Sequence, residues 1–140
     1  MAIIGQGISL RGMTHEKFHY PFYLVAGITS ADVGKAVAID TSAANTVKLA
    51  GDGEQVIGNL VVVEDRGVEG VLVGTIALRG GFRFQEVDTP ALALAIGDTV
   101  VGAGDGEVRA RTNAAGDAKE ADHSDNIVVD VDGTNITIVR

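Results

Sequence analysis

A short unit occurs twice in this chain, and it dictates β structure. Ala31-Asp32-Val33-Gly34-Lys35-Ala36-Val37 leads on to Ala50-Gly51-Asp52-Gly53-Glu54, and Leu94-Ala95-Ile96-Gly97-Asp98-Thr99-Val100 leads on to Ala103-Gly104-Asp105-Gly106-Glu107. Each copy reads as a glycine-bent approach to a strand, the strand itself, and an Asp-Gly turn into the next one, because Gly and Asp reach positive φ at little cost. Gly34 and Gly97 stand 63 positions apart but Asp52 and Asp105 only 53, so the first copy carries an insertion. That is incompatible with the fixed period of a solenoid. It predicts a β-meander used twice.

The flanking segments extend the β pattern. Tyr20 to Val25 predicts a first strand, with Pro21 confining it to an edge or a strand start. Thr29-Ser30-Ala31-Asp32 reads as a short cap or turn before Gly34. Val37 to Asp40 and Thr46 to Leu49 predict a hairpin around the polar loop Thr41 to Asn45. Gln55 to Glu64 and Gly70 to Leu78 predict two long strands joined by a polar tip at residues 65–69. In the second, Val71, Val73, Thr75 and Ala77 share one face and Leu72, Gly74, Ile76 and Leu78 the other. Both faces are apolar, which suits a strand between two layers or one covered by another subunit. Phe82 and Phe84 alternate with Arg83 and Gln85 after the Arg79-Gly80-Gly81 bend. Thr89-Pro90 and the run to Gly97 carry the caps of one short helix. Asn113 to Asp125 reads as a long mobile loop, and Ile127 to Val139 as a hairpin turning at Asp132-Gly133.

At 140 residues the chain suits one domain able to bury its own core. No apolar run approaches the roughly 18 to 20 residues that span a bilayer, so no membrane association is expected. Met1 to Leu10 lacks the basic start, long apolar run and small-residue cleavage site of a secretory signal. With no cysteine there is no disulfide, thiolate nucleophile or thiolate metal site, which suits folding in a reducing cytoplasm. A formal net charge of −8 argues against nucleic acid, whose phosphates are bound by clustered Lys and Arg. The first thirty residues are distinct: Arg11 and Lys17 against Glu16, and four aromatics, Phe18, Tyr20, Phe22 and Tyr23, within six positions.

The reactive residue types do not assemble into a recognisable site. His123-Ser124-Asp125 supplies the residue types of a hydrolase triad, but neighbours in sequence diverge in space and cannot form its geometry. His15 and His19 have the spacing of two metal ligands on a helix, yet Gly12 and Pro21 bracket them and no third ligand accompanies them. The two Gly-Asp-Gly-Glu turns offer too few oxygens for a calcium loop. One Arg79-Gly80-Gly81-Phe82 tract in an acidic chain is a bend, with Arg79 and Arg83 available to carboxylates of this or a neighbouring chain. No cofactor, metal or catalytic residue is expected.

Gly34-Lys35-Ala36-Val37-Ala38, Val47-Lys48-Leu49-Ala50-Gly51-Asp52-Gly53-Glu54, Ile57-Gly58, Val63-Glu64-Asp65-Arg66, Val68-Glu69-Gly70-Val71-Leu72-Val73-Gly74, Gly80-Gly81 and Ile96-Gly97-Asp98-Thr99-Val100-Val101-Gly102 together resemble the small capsid decoration, or cement, proteins of tailed bacteriophages. The resemblance covers about residues 24 to 111 and resides in turns and strands. It implies a non-enzymatic virion protein, made in the bacterial host cytoplasm, that binds the outer surface of the expanded head and clamps neighbouring capsomers of the major capsid protein against DNA pressure.

The expectation is therefore an all-β protein, a small β-sandwich or barrel built from meander and hairpin units, with at most one short helix. Residues 1–19 form an extended arm and residues 20–140 a single β domain, assembled as a homotrimer or homodimer. Arg11, Phe18, Tyr20, Phe22 and Tyr23 are the expected partner-binding anchors of the arm, which would lie on another chain by strand addition, because aromatics dominate interface hot spots. Arg79, Phe82, Arg83 and Phe84 are the expected oligomer contacts. The alternative is a β-sandwich module that binds surface glycans, for which Phe82 and Phe84 would be the aromatic platform.

Overall fold

A computed structural model of the chain describes residues 19–85, 93–111 and 126–140. It is all-β: a closed barrel of five strands with two hairpin sheets packed on it. The strands are β1 (His19–Leu24), β2 (Ala36–Ile39), β3 (Thr46–Leu49), β4 (Gly58–Arg66), β5 (Val71–Ala77), β6 (Gly81–Gln85), β7 (Val100–Gly104), β8 (Glu107–Ala110), β9 (Ile127–Asp132) and β10 (Asn135–Val139). The barrel runs β1-β3-β2-β4-β5 and closes from β5 back to β1, beside a three-stranded sheet β6-β10-β9 and the β7-β8 hairpin. Of the expected arm only His19 is described, and it opens β1. The expected helix falls mostly outside the described residues, and Ala93 to Ala95 are irregular. The loop at residues 113–125 lies outside them as well.

β1 has neighbours on both sides, but Pro21, near the start of the strand, is paired on one side alone, in keeping with the expected edge or strand-start position. It pairs opposite Thr75 of β5, whereas β3 joins β1 only at Tyr23 and Leu24. The N–H groups of Tyr23 and Val25 donate to Asn45 O and Val47 O on the β3 side, at 2.9 and 3.1 Å. By two-residue alternation the Pro21 nitrogen points the same way, before β3 begins, so its missing proton costs no ladder bond.

The barrel is filled by Leu24, Ile28, Val37, Val47, Leu60 and Ile76, with Phe22 and Val63 packed against them. Two glycines make this filling possible: a Cβ on Gly74 would stand 2.7 Å from Leu24, and one on Gly58 would stand 2.0 Å from the Ala77 carbonyl oxygen. A second core joins the barrel to the sheets. Phe82, Phe84, Ile136, Ile138 and Val128 face Ala36, Ala38, Ala50 and Ala77, whose short side chains let the layers approach. The strand buried on both faces is β2, with Val37 in the barrel and Ala36 and Ala38 in the second core. On β5, Gly74 and Ile76 face inward while Val71, Val73 and Thr75 stay partly exposed, so of the two expected settings the strand does not lie between two layers along its whole length.

The two copies of the repeated unit clasp each other. Ala36 N–H donates to Gly106 O, Gly106 N–H to Ala50 O and Ala50 N–H back to Ala36 O. Gly53 N–H donates to Gly102 O and Gly102 N–H to Glu54 O, both at 2.9 Å. Arg109 adds a 2.7 Å ion pair to Asp52 across the junction. Such contact requires glycine: a Cβ on Gly102 would stand 2.3 Å from Gly51 O, and one on Gly106, at φ +78°, would stand 2.6 Å from the Lys35 Cβ. Asp105 shares the left-handed conformation, which gives the two-residue turn the backbone twist of its strands.

Ahead of β2, Thr29 to Asp32 forms a capped 3-10 turn. Thr29 Oγ1 accepts from Ala31 N–H, Asp32 accepts from Thr29 N–H at 2.9 Å, and Lys35 pairs with Asp32 at 2.8 Å. The Lys35 ammonium and then the Thr29 N–H hold the Asp32 carboxyl below its ordinary range.

Two expected outcomes follow from these contacts. Gly102→Ala destabilises the fold by about 3 kcal/mol or more, as overpacking against backbone does, read from the urea midpoint. Because the folded-state Asp32 value is depressed, its contribution is present above the unfolded value, near pH 4, and is lost as pH falls through the folded value. Asp32→Asn should therefore flatten the acid limb of the stability profile between the unfolded value, near pH 4, and the lowered folded value, measured by denaturation at a series of pH values.

Candidate attachment surface

Alternation along β1 divides its aromatics. Phe22 and Leu24 turn into the barrel, and Tyr23 turns out. The register then assembles an outer face: Tyr23 lies opposite Val73, Pro21 opposite Thr75, and on the far side of β5 Val62 lies opposite Thr75 and Glu64 opposite Val73. Tyr23 is 50% exposed and Val62 49%. Tyr20, on the inward-facing parity but at the barrel rim, is 58% exposed and leans on Phe22 with ring centroids 5.4 Å apart. Together with Asn45 and Arg66 these aromatics border an open groove of about 440 Å³.

The polar groups of the groove are already ordered. Arg66 pairs with Glu64 at 3.3 Å and lies 3.8 Å from Glu69. These carboxylates, Glu64 first, raise the Arg66 pKa further and keep it cationic. Arg66 therefore brings a guanidinium, paired with Glu64, to the border of the groove. Because Pro21 lacks an N–H on the open side of β1, the groove offers an incomplete backbone edge.

The expected site residues distribute as follows. Tyr20, Phe22 and Tyr23 belong to a barrel strand rather than to an extended arm, and they border one groove. Arg11 and Phe18 lie outside the described residues, as do His15 and His123-Ser124-Asp125. His19 is in a strand opposite Ala77, which removes the helical face that a His15–His19 metal pair needs. Among the described residues no group of three His, Cys, Asp or Glu side chains is placed to hold a metal ion. Phe82 and Phe84 correct the expectation of oligomer contacts: they are 3% and 2% exposed, so they have no surface left for a partner or a sugar. Their strand turns both rings into the second core, 6.0 Å apart. Arg79 and Arg83 are exposed, and Arg83 pairs with Asp132 at 3.1 Å.

Sequence reasoning missed Val62, Asn45 and Arg66. The register shift between Leu60 and Val62 explains the first, since the extra residue at Val61 reverses the parity. Leu60 and Val63 then both face inward and Val62 faces out. No sequence signal marks that bulge.

A scan against models of protein families, a search of curated proteins and a search of solved structures find no match to this chain.

If the outer face carrying Tyr23 and Val62 is surface and Phe22 packs on the core, substitution separates them. Tyr23→Ser and Val62→Ser should each change stability by no more than about 0.5 kcal/mol, the usual range for surface positions. Phe22→Ala should cost about 2 kcal/mol or more. Urea denaturation monitored by circular dichroism measures all three.

Proposed function

We propose that this chain is a non-enzymatic capsid decoration protein of a tailed bacteriophage, attached to the outer surface of the head and clamping neighbouring capsomers of the major capsid protein. The observation that carries this reading is the aromatic groove on the outer wall of a barrel whose interior is already filled by other residues. An exposed aromatic and aliphatic face, rimmed by ordered charges, is what a protein-docking surface requires. The barrel suits a clamp, because closure removes the free strand edges that would invite misdirected pairing. The resemblance in turns and strands supports the same class, and with it a virion location after synthesis in the host cytoplasm.

A second reading draws on the same groove. Tyr20 and Tyr23 beside Asn45 and Arg66 combine a stacking surface with amide and guanidinium donors, which is the chemistry a surface glycan needs. It replaces the Phe82–Phe84 platform, which is buried.

Co-sedimentation with undecorated expanded heads decides between them. The full chain should bind saturably, and Tyr23→Ser combined with Val62→Ser should weaken binding at least about tenfold, the scale of losing a central hot spot. Arg11→Ala with Phe18→Ala tests whether the first residues contribute. No binding by the full chain overturns the capsid reading, and retention on a glycan array that is lost with Tyr23→Ser favours the second.

A further inference from the structure

The outer face of the β6-β10-β9 sheet carries a pattern that fits its own copy. Directly opposed residues form three rows across it: Gly81, Val139 and Ile127; Arg83, Thr137 and Asp130; Gln85, Asn135 and Asp132. The inner face, through Phe82, Phe84, Ile136 and Ile138, is consumed by the second core. Outward, Val139 is 42% and Ile127 40% exposed, and they sit beside each other at one end of the face. Basic charge lies on one edge strand, β6, and acidic charge on the other, β9, with neutral β10 between them; within the protomer Arg83 already reaches across to Asp132 at 3.1 Å, and its guanidinium has further N–H donors for Asp130 of a second copy.

That arrangement has a geometric consequence. A twofold axis lying between two stacked copies and parallel to β10 keeps every row in register but exchanges the edges, so β6 of one copy lies over β9 of the other. Arg83 then meets Asp130 of the second copy twice, once at each edge, and Thr137 meets Thr137 on the axis. In the apolar row Val139 meets Val139, and each Ile127 lies over the other copy's Gly81, where no side chain opposes it. The middle row is nearest the centre about which the two sheets cross, so the roughly 30° crossing of stacked sheets displaces it least, and the length of Arg83 spans the remainder. Opposite charges in both edge positions and a bulky residue over a glycine in both corners are the self-complementarity that an isologous interface demands.

We infer that this chain forms a twofold dimer through the outer face of the β6-β10-β9 sheet, with Arg83 of each copy on Asp130 of the other and Ile127 seated on Gly81. The barrel groove lies on other strands, so one protomer can engage a surface while the sheet engages a second copy. Three short strands offer less area than the roughly 800 Å² per partner of a standard interface, so association is weak in free solution. High local concentration on a surface would strengthen it.

Sedimentation equilibrium of the full chain, without capsids, tests this over a concentration series reaching about 1 mM, high enough to populate a dimer whose Kd is itself millimolar. A monomer–dimer equilibrium is expected. Arg83→Glu sets like charges opposite at both edges and should weaken it at least about tenfold. Arg83→Glu combined with Asp130→Arg restores the attraction and should restore the dimer. Gly81→Leu gives an independent reading: an added Cβ there comes no nearer than 4.0 Å to Ile138 O, so the monomer accommodates it, whereas the seat of Ile127 is filled and the dimer is lost. A monomer at every concentration, a trimer, or a dimer indifferent to both Arg83→Glu and Gly81→Leu overturns the inference. None of these results bears on capsid attachment, which is measured separately on heads.

Discussion

The architecture depends on backbone meeting backbone without a side chain between. At Gly102 and Gly106 the second copy of the repeated unit comes within hydrogen-bonding distance of the first, and the bonds through Ala36, Ala50, Gly53 and Glu54 hold it there. The barrel alone would leave Ala36, Ala38, Ala50 and Ala77 bare, and the hairpin sheets alone would leave Phe82, Phe84, Ile136 and Ile138 bare. Each layer is therefore the solvent-excluding cover of the other. The Val56 carbonyl, buried where they meet, accepts from both the Asn126 amide and Arg140, so the last residue of the chain is fastened to the segment leading into β4. Small residues at the junction are a geometric necessity, since hydrophobic burial rewards close packing only where nothing projects.

Much of this was legible in the residues. The duplicated Gly-Asp-Gly-Glu turns announced β structure, and the strands at 46–49, 71–77 and 135–139 lie within or close to the runs that alternation marks out, but the expected meander does not form: β4 pairs with β2 rather than with β3, and β7 and β8 make a two-stranded hairpin. The turn chemistry was equally readable: Asn45 and Asp105, both at positive φ, are residue types that tolerate it, and Gly133 begins the two-residue link from β9 to β10. What local pattern could not supply was which faces meet. The repeats were visible as an echo, but their mutual clasp is a contact between residues about fifty to seventy positions apart, and only the closed fold brings them together. Equal apolarity on the two faces of β5 pointed to a second layer or a second subunit over the outer face, and within the chain one face lines the barrel while the other remains partly open.

The aromatic segment shows the same division between composition and placement. Clustering of Tyr20, Phe22 and Tyr23 was plain, and aromatics do favour interfaces, but their fates differ because successive residues of a strand point to opposite sides. One alternation sends Phe22 inward and Tyr23 outward. Phe82 and Phe84 were equally conspicuous, and both are inward because they occupy the same parity. The surface charge is organised locally: Lys35, Lys48 and Arg109 each lie against a carboxylate close to the clasp, at 2.6 to 2.8 Å. Exposed pairs of this kind stabilise little individually, so their chief effect is to keep the acidic surface from repelling itself where the layers join.

The β4-β5 ribbon carries one more consequence. Beyond Val63 its residues through Gly70 are exposed, Val68 fully so, and the tip closes on its own bonds from Glu69 N–H to Arg66 O and Gly70 N–H to Gly67 O. Among the described residues the bonds of that turn are its own. Lengthening a loop costs free energy only as the logarithm of its length, so Gly67-Val68 is a natural splice point for foreign sequence. A peptide epitope or a small folded domain inserted there would project from the barrel while both cores kept their packing, and the chain would serve as a carrier that displays it.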